Sequence, residues 1–365
     1  MVKVLEIKKC NSIGFLQEAI YCISNNIISR IDFSNSLNLK NILTFEDSNY
    51  KLISCPSRII IKDDLNRIIG QIIDQTIAEV EPNLTNLNVS FAQEDKLFVY
   101  IKNPERKKGV YDLGQKKILF LLSNFSPSLI LGNSVYQKGL KIIQYNYVSG
   151  IENTVFEANK ISSEHSFEKI LGERGDALFT IMSDGTLCKI NMKSKDYKIW
   201  KLFDERFLSH KLRNTENLEP WYMTELGAYS LNSATYLQDK NLIVGFEYGV
   251  YWELDLETEK LNAQSMFEEF DNNNVCGCWS SVIVRGDIMY FFSDQAFDEN
   301  QNHKLVGFNL KTKKIISQWG LPQKGLRRGF EITGPKLLGL NLIAAIEQDT
   351  TCHLFIDDLS TTTTS

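Results

Sequence analysis

Short apolar runs of four to eight residues recur along the chain, bounded by turn residues, and outside one insertion no stretch keeps a helical period. Leu97-Phe98-Val99-Tyr100-Ile101, Leu178-Phe179-Thr180-Ile181-Met182, Leu242-Ile243-Val244-Gly245-Phe246 and Ile288-Met289-Tyr290-Phe291-Phe292 are the clearest. Each follows an acidic turn, at Asp95, Asp176, Asp239 and Asp287, and each leads to a second landmark. Ile190-Asn191-Met192-Lys193-Ser194-Lys195-Asp196-Tyr197 matches Leu254-Asp255-Leu256-Glu257-Thr258-Glu259-Lys260-Leu261 and Phe308-Asn309-Leu310-Lys311-Thr312-Lys313-Lys314-Ile315. All three read as a strand end with Asn or Asp, a polar turn and a new strand, because a short Asn or Asp side chain hydrogen-bonds its local backbone. Tyr111-Asp112-Leu113 fits nearly as well and Ile31-Asp32-Phe33 more loosely. Further turns are expected at Gly109, Gly185 and Gly249. The unit is a four-stranded antiparallel meander.

Extended through Asp74, Glu157 and Asp357, the landmarks fall at 32, 74, 112, 157, 191, 255, 309 and 357, with steps of 42, 38, 45, 34, 64, 54 and 48. A four-stranded repeat of about 40–45 residues is the pitch of a propeller blade, too small to bury its faces without neighbours. In these features the chain resembles degenerate β-propeller repeat proteins, without the Trp-Asp signature of WD40 blades or the Gly-Gly pair of kelch. The resemblance implies an all-β fold, a β-propeller of seven or eight four-stranded blades, with eight the landmark count. Only eight residues follow Asp357, six of them a Ser/Thr tail at 360–365, so the last blade lacks an outer strand. Val2-Lys3-Val4-Leu5-Glu6-Ile7 is a spare strand, expected to complete that blade and close the ring. The predicted organisation is a single domain over 1–359 with an inserted loop at about 203–229. A pair of β-sandwich or barrel domains is the alternative.

Composition changes this picture little: 43% hydrophobic and 23% charged residues are ordinary for a globular chain. The net charge of −5 argues against nucleic acid and membrane surfaces as partners, since phosphate binding needs a basic face. Glu6 and Lys8 interrupt the apolar start, so it does not read as a signal peptide, and no run is long enough to span a bilayer. Seven cysteines are too sparse for a disulfide scaffold. Cys10, Cys22, Cys55, Cys188 and Cys352 read as buried reduced thiols, and the expected location is cytoplasmic.

Candidate chemistry is thin. Cys276-Gly277-Cys278-Trp279 has no second cysteine pair to complete a zinc site. His165, His210, His303 and His353 show no metal-binding spacing, and Ser183-Asp184-Gly185-Thr186 reads as a hairpin turn. Neither a P-loop nor a Gly-x-Ser-x-Gly elbow occurs, and no metal or cofactor is expected. Glu268-Glu269-Phe270-Asp271 and Arg327-Arg328 read as solvated loop charges. The insertion differs: Arg206, Arg213, Trp221 and Tyr222 supply the arginine and aromatic composition of binding hot spots, and these are the candidate binding residues. The expected function is a non-enzymatic binding protein, monomeric apart from its protein partner, that recognises it through rim loops; a toxin-neutralising immunity protein is one form. The alternative is a metal-assisted hydrolase or lyase with its site in the central channel.

Overall fold

The polar landmarks end the third strands of successive antiparallel sheets in the computed structural model. The structure describes residues 2–7, 9–16, 19–32, 38–45, 50–101, 106–202, 233–247, 250–265, 276–277, 282–295, 304–320, 331–333, 336–337, 340–346 and 352–357. Among the described residues, eight antiparallel sheets follow one another, each built on a path of four strands, to which the last two add a short fifth, as expected of propeller blades. Blade 1 is Cys10–Leu16, Ala19–Ser24, Ile27–Asp32 and Asn38–Thr44. Blade 2 is Lys51–Ser54, Ile59–Lys62, Ile68–Ile73 and Thr76–Ala78; blade 3 is Asn88–Gln93, Lys96–Tyr100, Lys108–Asp112 and Lys117–Leu122. Blade 4 is Leu129–Leu131, Ser134–Gln137, Lys141–Asn146 and Ile151–Glu157; blade 5 is Phe167–Arg174, Ala177–Met182, Thr186–Asn191 and Tyr197–Lys201. Blade 6 is Thr235–Leu237, Leu242–Glu247, Val250–Asp255 and Lys260–Ser265. In blade 7, Cys276–Gly277 and Ile283–Arg285 both pair with Ile288–Gln295, followed by Lys304–Asn309 and Lys314–Gly320.

Blade 8 draws on both chain ends. Glu331–Thr333 and Lys336–Leu337 both pair with Leu340–Ile346, Cys352–Asp357 follows, and Val2–Ile7 is the outer strand. Val2 stands opposite Ile356 and Ile7 opposite Cys352, as the sequence predicts for an N-terminal strand that completes the last blade.

Burial follows strand position. Second strands are packed on both faces, as in Ile59–Lys62 and Ala19–Ser24, and therefore read as unbroken apolar runs. Fourth strands are largely exposed, as in Tyr197–Lys201 and Ile151–Glu157. The core lies between neighbouring blades. Tyr21, Ile23 and Ile28 of blade 1 pack on Leu52, Ile59 and Ile72 of blade 2, and Ile60 and Ile68 of blade 2 pack with Leu97, Val99 and Tyr111 of blade 3. Phe179 and Leu187 of blade 5 pack on Ile243, Trp252 and Leu254 of blade 6, while Val244 and Phe246 of blade 6 meet Phe291 and Val306 of blade 7. Two compact units emerge, residues 1–130 with 333–365, and residues 131–332.

Two expectations need correction. Glu157 ends the fourth strand of blade 4, not the third; the matching landmark is Asn146, whose Oδ1 accepts from the amides of Val148 at 3.0 Å and Ser149 at 2.9 Å. Asn191, Asp255 and Asn309 accept the same two amides of their own turns at 2.8–3.0 Å. Gly109 is no turn either. It sits in the third strand of blade 3, where a Cβ would fall 1.9 Å from the Phe120 carbonyl oxygen, so only glycine permits the pairing. Gly185 does make the expected turn, at φ 83°, whereas Gly249 lies outside the described residues.

Candidate functional site

In a meander, the hairpin between strands two and three and the link to the next blade leave at the same end of the sheet. Within residues 131–332 these segments are tied together by backbone hydrogen bonds. The Phe167 amide donates to the Gly139 carbonyl and the Ala158 amide to the Leu140 carbonyl, both at 2.8 Å, which joins the blade 4 hairpin to the link into blade 5. The Ser183 amide donates to the Ser166 carbonyl at 2.8 Å, and the Ser166 amide donates to Ser183 Oγ at 3.3 Å. This continuous edge displays Leu140 at 73% exposure, an apolar tip with solvent around it.

The same end of blade 5 launches the long insertion. Its anchors are well fixed: Leu202 and Ala234 are both buried in one apolar cluster with Ile243, Trp252 and Leu254. Ser233 is buried too, and its Oγ accepts from the Phe246 amide at 3.1 Å. Residues 203–232 between these anchors, and with them Arg206, Arg213, Trp221 and Tyr222, lie outside the described residues. So do Cys278 and Trp279, the acidic run 268–271 and the Arg327-Arg328 pair.

His165 acquires neighbours that no sequence spacing shows. Its Nδ1 lies 3.3 Å from Ser183 Oγ, and its Nε2 lies 4.0 Å from Asp184 Oδ2. The trio has the composition of a hydrolytic triad but not its geometry. The His–Asp separation exceeds hydrogen-bond reach, about 3.2 Å at most for a working base and its orienting acid. Asp184 is already committed to the amide and hydroxyl of Thr186, at 2.9 and 2.8 Å. The amides of Ser183, Gly185 and Thr186 all donate to protein acceptors, so they are not free to hold an oxyanion. These contacts fix the hairpin to the incoming link, which is the turn expected from Ser183-Asp184-Gly185-Thr186.

Residues 1–130 with 333–365 carry a buried polar network instead. Arg58 Nη1 donates to Glu81 Oε1 at 2.8 Å and to Gln71 Oε1 at 3.0 Å, Nη2 to the Leu113 carbonyl at 3.5 Å, and Tyr111 donates to Glu81 Oε2 at 3.2 Å. Every member has a partner, so the network joins blades 2 and 3 and offers no open valence to a ligand. Lys62, also buried, gives its Nζ to Asn66 Oδ1 at 2.8 Å and to the Ser90 and Val89 carbonyls at 3.1 and 3.3 Å. Among the described residues no group of three or more His, Cys, Asp or Glu side chains is placed to hold a metal ion, and no helix is long and apolar enough to cross a membrane.

Comparison with known proteins bears on the fold. No family model and no curated protein matches the chain. Solved structures do: BamB from Moraxella catarrhalis, at 12% identity, covering 98% of this chain and 99% of that one, has a TM-score of 0.57. The C-terminal WD40 domain of Sif2, at 8% identity with 98% of each chain covered, gives 0.58. The computationally designed Ika8 protein, at 9% identity, covering 97% of this chain and 99% of that one, gives 0.56. At such low identity the likeness is one of fold, and it agrees with the eight four-stranded sheets: the chain is built as a β-propeller.

Proposed function

We propose that this chain is a protein-binding scaffold whose insertion between blades 5 and 6 grips the partner. The observation that carries the reading is the anchoring on either side of residues 203–232: Leu202 and Ala234 are buried in one inter-blade cluster, and Ser233 is buried beside Ala234. A long excursion on fixed anchors varies in sequence without disturbing the sheets, and such loops are where scaffolds carry recognition. Trp221 and Tyr222 supply large apolar area and Arg206 and Arg213 a fork of donors, so the matching partner surface is apolar with carboxylates at its margin. The exposed Leu140 tip extends the apolar contact along the same edge. Five buried free thiols support work in a reducing compartment, the cytoplasm.

The test is a chain with residues 203–232 replaced by a short Gly-Ser linker, compared with the parent by quantitative capture from extract and by thermal melting. A partner lost with the insertion, at a melting temperature unchanged within about 3 °C, supports the reading. An unchanged set of captured proteins, each binding with unchanged affinity, refutes it. Trp221→Ala then refines the result, with about 2 kcal/mol or more of binding lost if that ring is an anchor.

A further inference from the structure

Three of the free cysteines converge where the two chain ends meet. Cys10, Cys22 and Cys352 are each 0% exposed and share an apolar cluster with Ile7, Ile13, Ile20 and Leu354. Strand register explains the convergence. Ile7 pairs directly with Cys352 in blade 8, and three residues later the chain has turned through Lys9, at φ 54°, and entered blade 1 at Cys10. Within blade 1, Cys10 stands opposite Ser24 and Cys22 opposite Ile13 on the next strand, with a register shift between Cys10 and Ser12. Cys10 is the centre of the group: its Sγ donates to the Ser12 carbonyl oxygen at 3.5 Å and faces the Cys22 and Cys352 thiols. Interaction with those two thiols draws its proton affinity down despite burial, while the proton affinities of Cys22 and Cys352 are raised by Cys10 and by burial.

We infer that Cys10 and Cys352 form a reversible disulfide when the protein meets hydrogen peroxide, and that this bond locks the N-terminal strand into blade 8. The choice of pair follows from geometry. Ile7 pairs with Cys352 and the chain reaches Cys10 three residues later, so a Cys10–Cys352 bond ties the strand before Cys10 to blade 8. A Cys10–Cys22 bond would stay within blade 1 and leave that strand free. Access comes from the strand itself: Val2–Ile7 is an edge strand, bonded to its sheet on one side, and its release uncovers Cys352 beside Ile7.

The chemistry balances with peroxide as the oxidant. The Cys10 thiolate attacks one peroxide oxygen, an S–O bond forms, the O–O bond breaks, and the departing hydroxide takes up the proton Cys10 released to give water. The Cys352 sulfur then attacks the Cys10 sulfenic acid. An S–S bond forms, the S–O bond breaks, and the hydroxyl leaves as a second water with the Cys352 proton. Two thiols lose two electrons and two protons, and one peroxide is reduced to two waters.

The test uses the full chain, treated with hydrogen peroxide, then alkylated and analysed by intact mass, peptide mapping and amide hydrogen exchange. The expected result is the loss of two hydrogen masses, reversed by dithiothreitol, a cross-linked peptide joining Cys10 to Cys352, and exchange over residues 2–7 slowed by about tenfold or more. Cys22→Ala should retain the bond, and Cys352→Ala should lose both the bond and the protection. Oxygen addition without loss of two hydrogens, a bond mapped to Cys22, or a Cys10–Cys352 bond without slower exchange over residues 2–7 would each overturn the inference. Because the mapping is done on the unaltered chain, it stands even if a variant folds poorly.

Discussion

The junction of blades 2 and 3 and the junction of blades 5 and 6 meet one packing demand with different chemistry. Both join the outer part of one blade to the outer turn of the next, and both place a carboxylate among cations. Between blades 2 and 3 the charge is enclosed: the Arg58 side chain is only 9% exposed and Glu81 17%. Between blades 5 and 6 it lies near solvent: Glu259 is held by Lys189 and Lys198, the latter 51% exposed at its side chain and 2.6 Å away. What closes this second junction is apolar. Trp252, Phe179, Leu202 and Ala234 pack together, and Tyr236 lies so close to blade 5 that a Cβ at Gly172 would fall 2.3 Å from its ring. A buried ion pair makes its junction depend on charge, whereas a surface pair leaves its junction dependent on fit.

The largest effect is therefore expected at Glu81. Glu81→Gln keeps the shape and removes the charge, leaving the largely enclosed Arg58 guanidinium without its counter-charge, and should cost about 3 kcal/mol in chemical denaturation. Burial pushes the Glu81 carboxyl up, but the hydrogen bond and charge of Arg58, with the charge of Lys116, more than offset this and hold it below its ordinary value. A depressed folded value means its stabilisation is full above about pH 4.3 and fades as pH falls through the lower folded value. Melting curves of parent and Glu81→Gln should thus converge as pH falls through that lower folded value. A gap that persists there would place the loss in packing rather than charge.

Gly172 tests the other side of the comparison. Gly172→Ala forces a methyl group against Cδ1 of Tyr236, and overpacking of this kind costs about 1–3 kcal/mol. In a Tyr236→Ala background the same methyl meets open space, and the cost should fall by at least half, which a double-mutant cycle would read directly. Equal costs in both backgrounds would show that the glycine serves the strand and not the junction.

Turn chemistry explains how much of this was visible in the sequence. Four third-strand ends share the two-amide device, and three of them, at Asn191, Asp255 and Asn309, have a conspicuous polar turn that announces it; Asp112 has such a turn too but accepts the Gln115 amide alone. Asn146 uses the same two amide bonds inside Tyr147-Val148-Ser149-Gly150, a run that looks like a strand in the sequence and leaves Glu157 as the apparent landmark. Asn146→Ala should cost about 1 kcal/mol, and Asn146→Asp, which restores the acceptor Asp255 supplies in blade 6, should cost well under that. The completion of blade 8 by Val2–Ile7 was legible because a missing strand at one end matched a spare one at the other. Contacts such as His165 with Ser183 join residues 18 apart, and the Arg58 network spans up to 55. Neither leaves a periodic trace, because register within a blade, not spacing in the chain, decides which polar side chains meet.

Glu259 is the smallest effect, and it decides whether the two junctions differ in kind. The residue occupies the left-handed position of its turn, at φ 54°, which aims its side chain back toward blade 5. Its carboxylate is held below its ordinary value by hydrogen bonds from Lys189 and Lys198, yet each lysine is well hydrated without it, and Lys198 also lies 5.1 Å from the Trp200 ring centroid. The Glu259 main chain contributes separately, through its carbonyl, which accepts from Trp200 Nε1 at 3.2 Å. Glu259→Gln removes the charge and leaves that bond in place, so the loss should stay under about 1 kcal/mol. It should shrink further in 0.5 M salt, because ions screen a solvent-facing pair over distances of about 4–5 Å at that strength. Glu81→Gln should show a weaker salt dependence, since its main partner Arg58 is nearly enclosed and only the Lys116 contact faces solvent. A loss at Glu259 as large as that at Glu81, or one indifferent to salt, would mean that the charge is structural at both junctions and that the apolar fit at Gly172 is secondary.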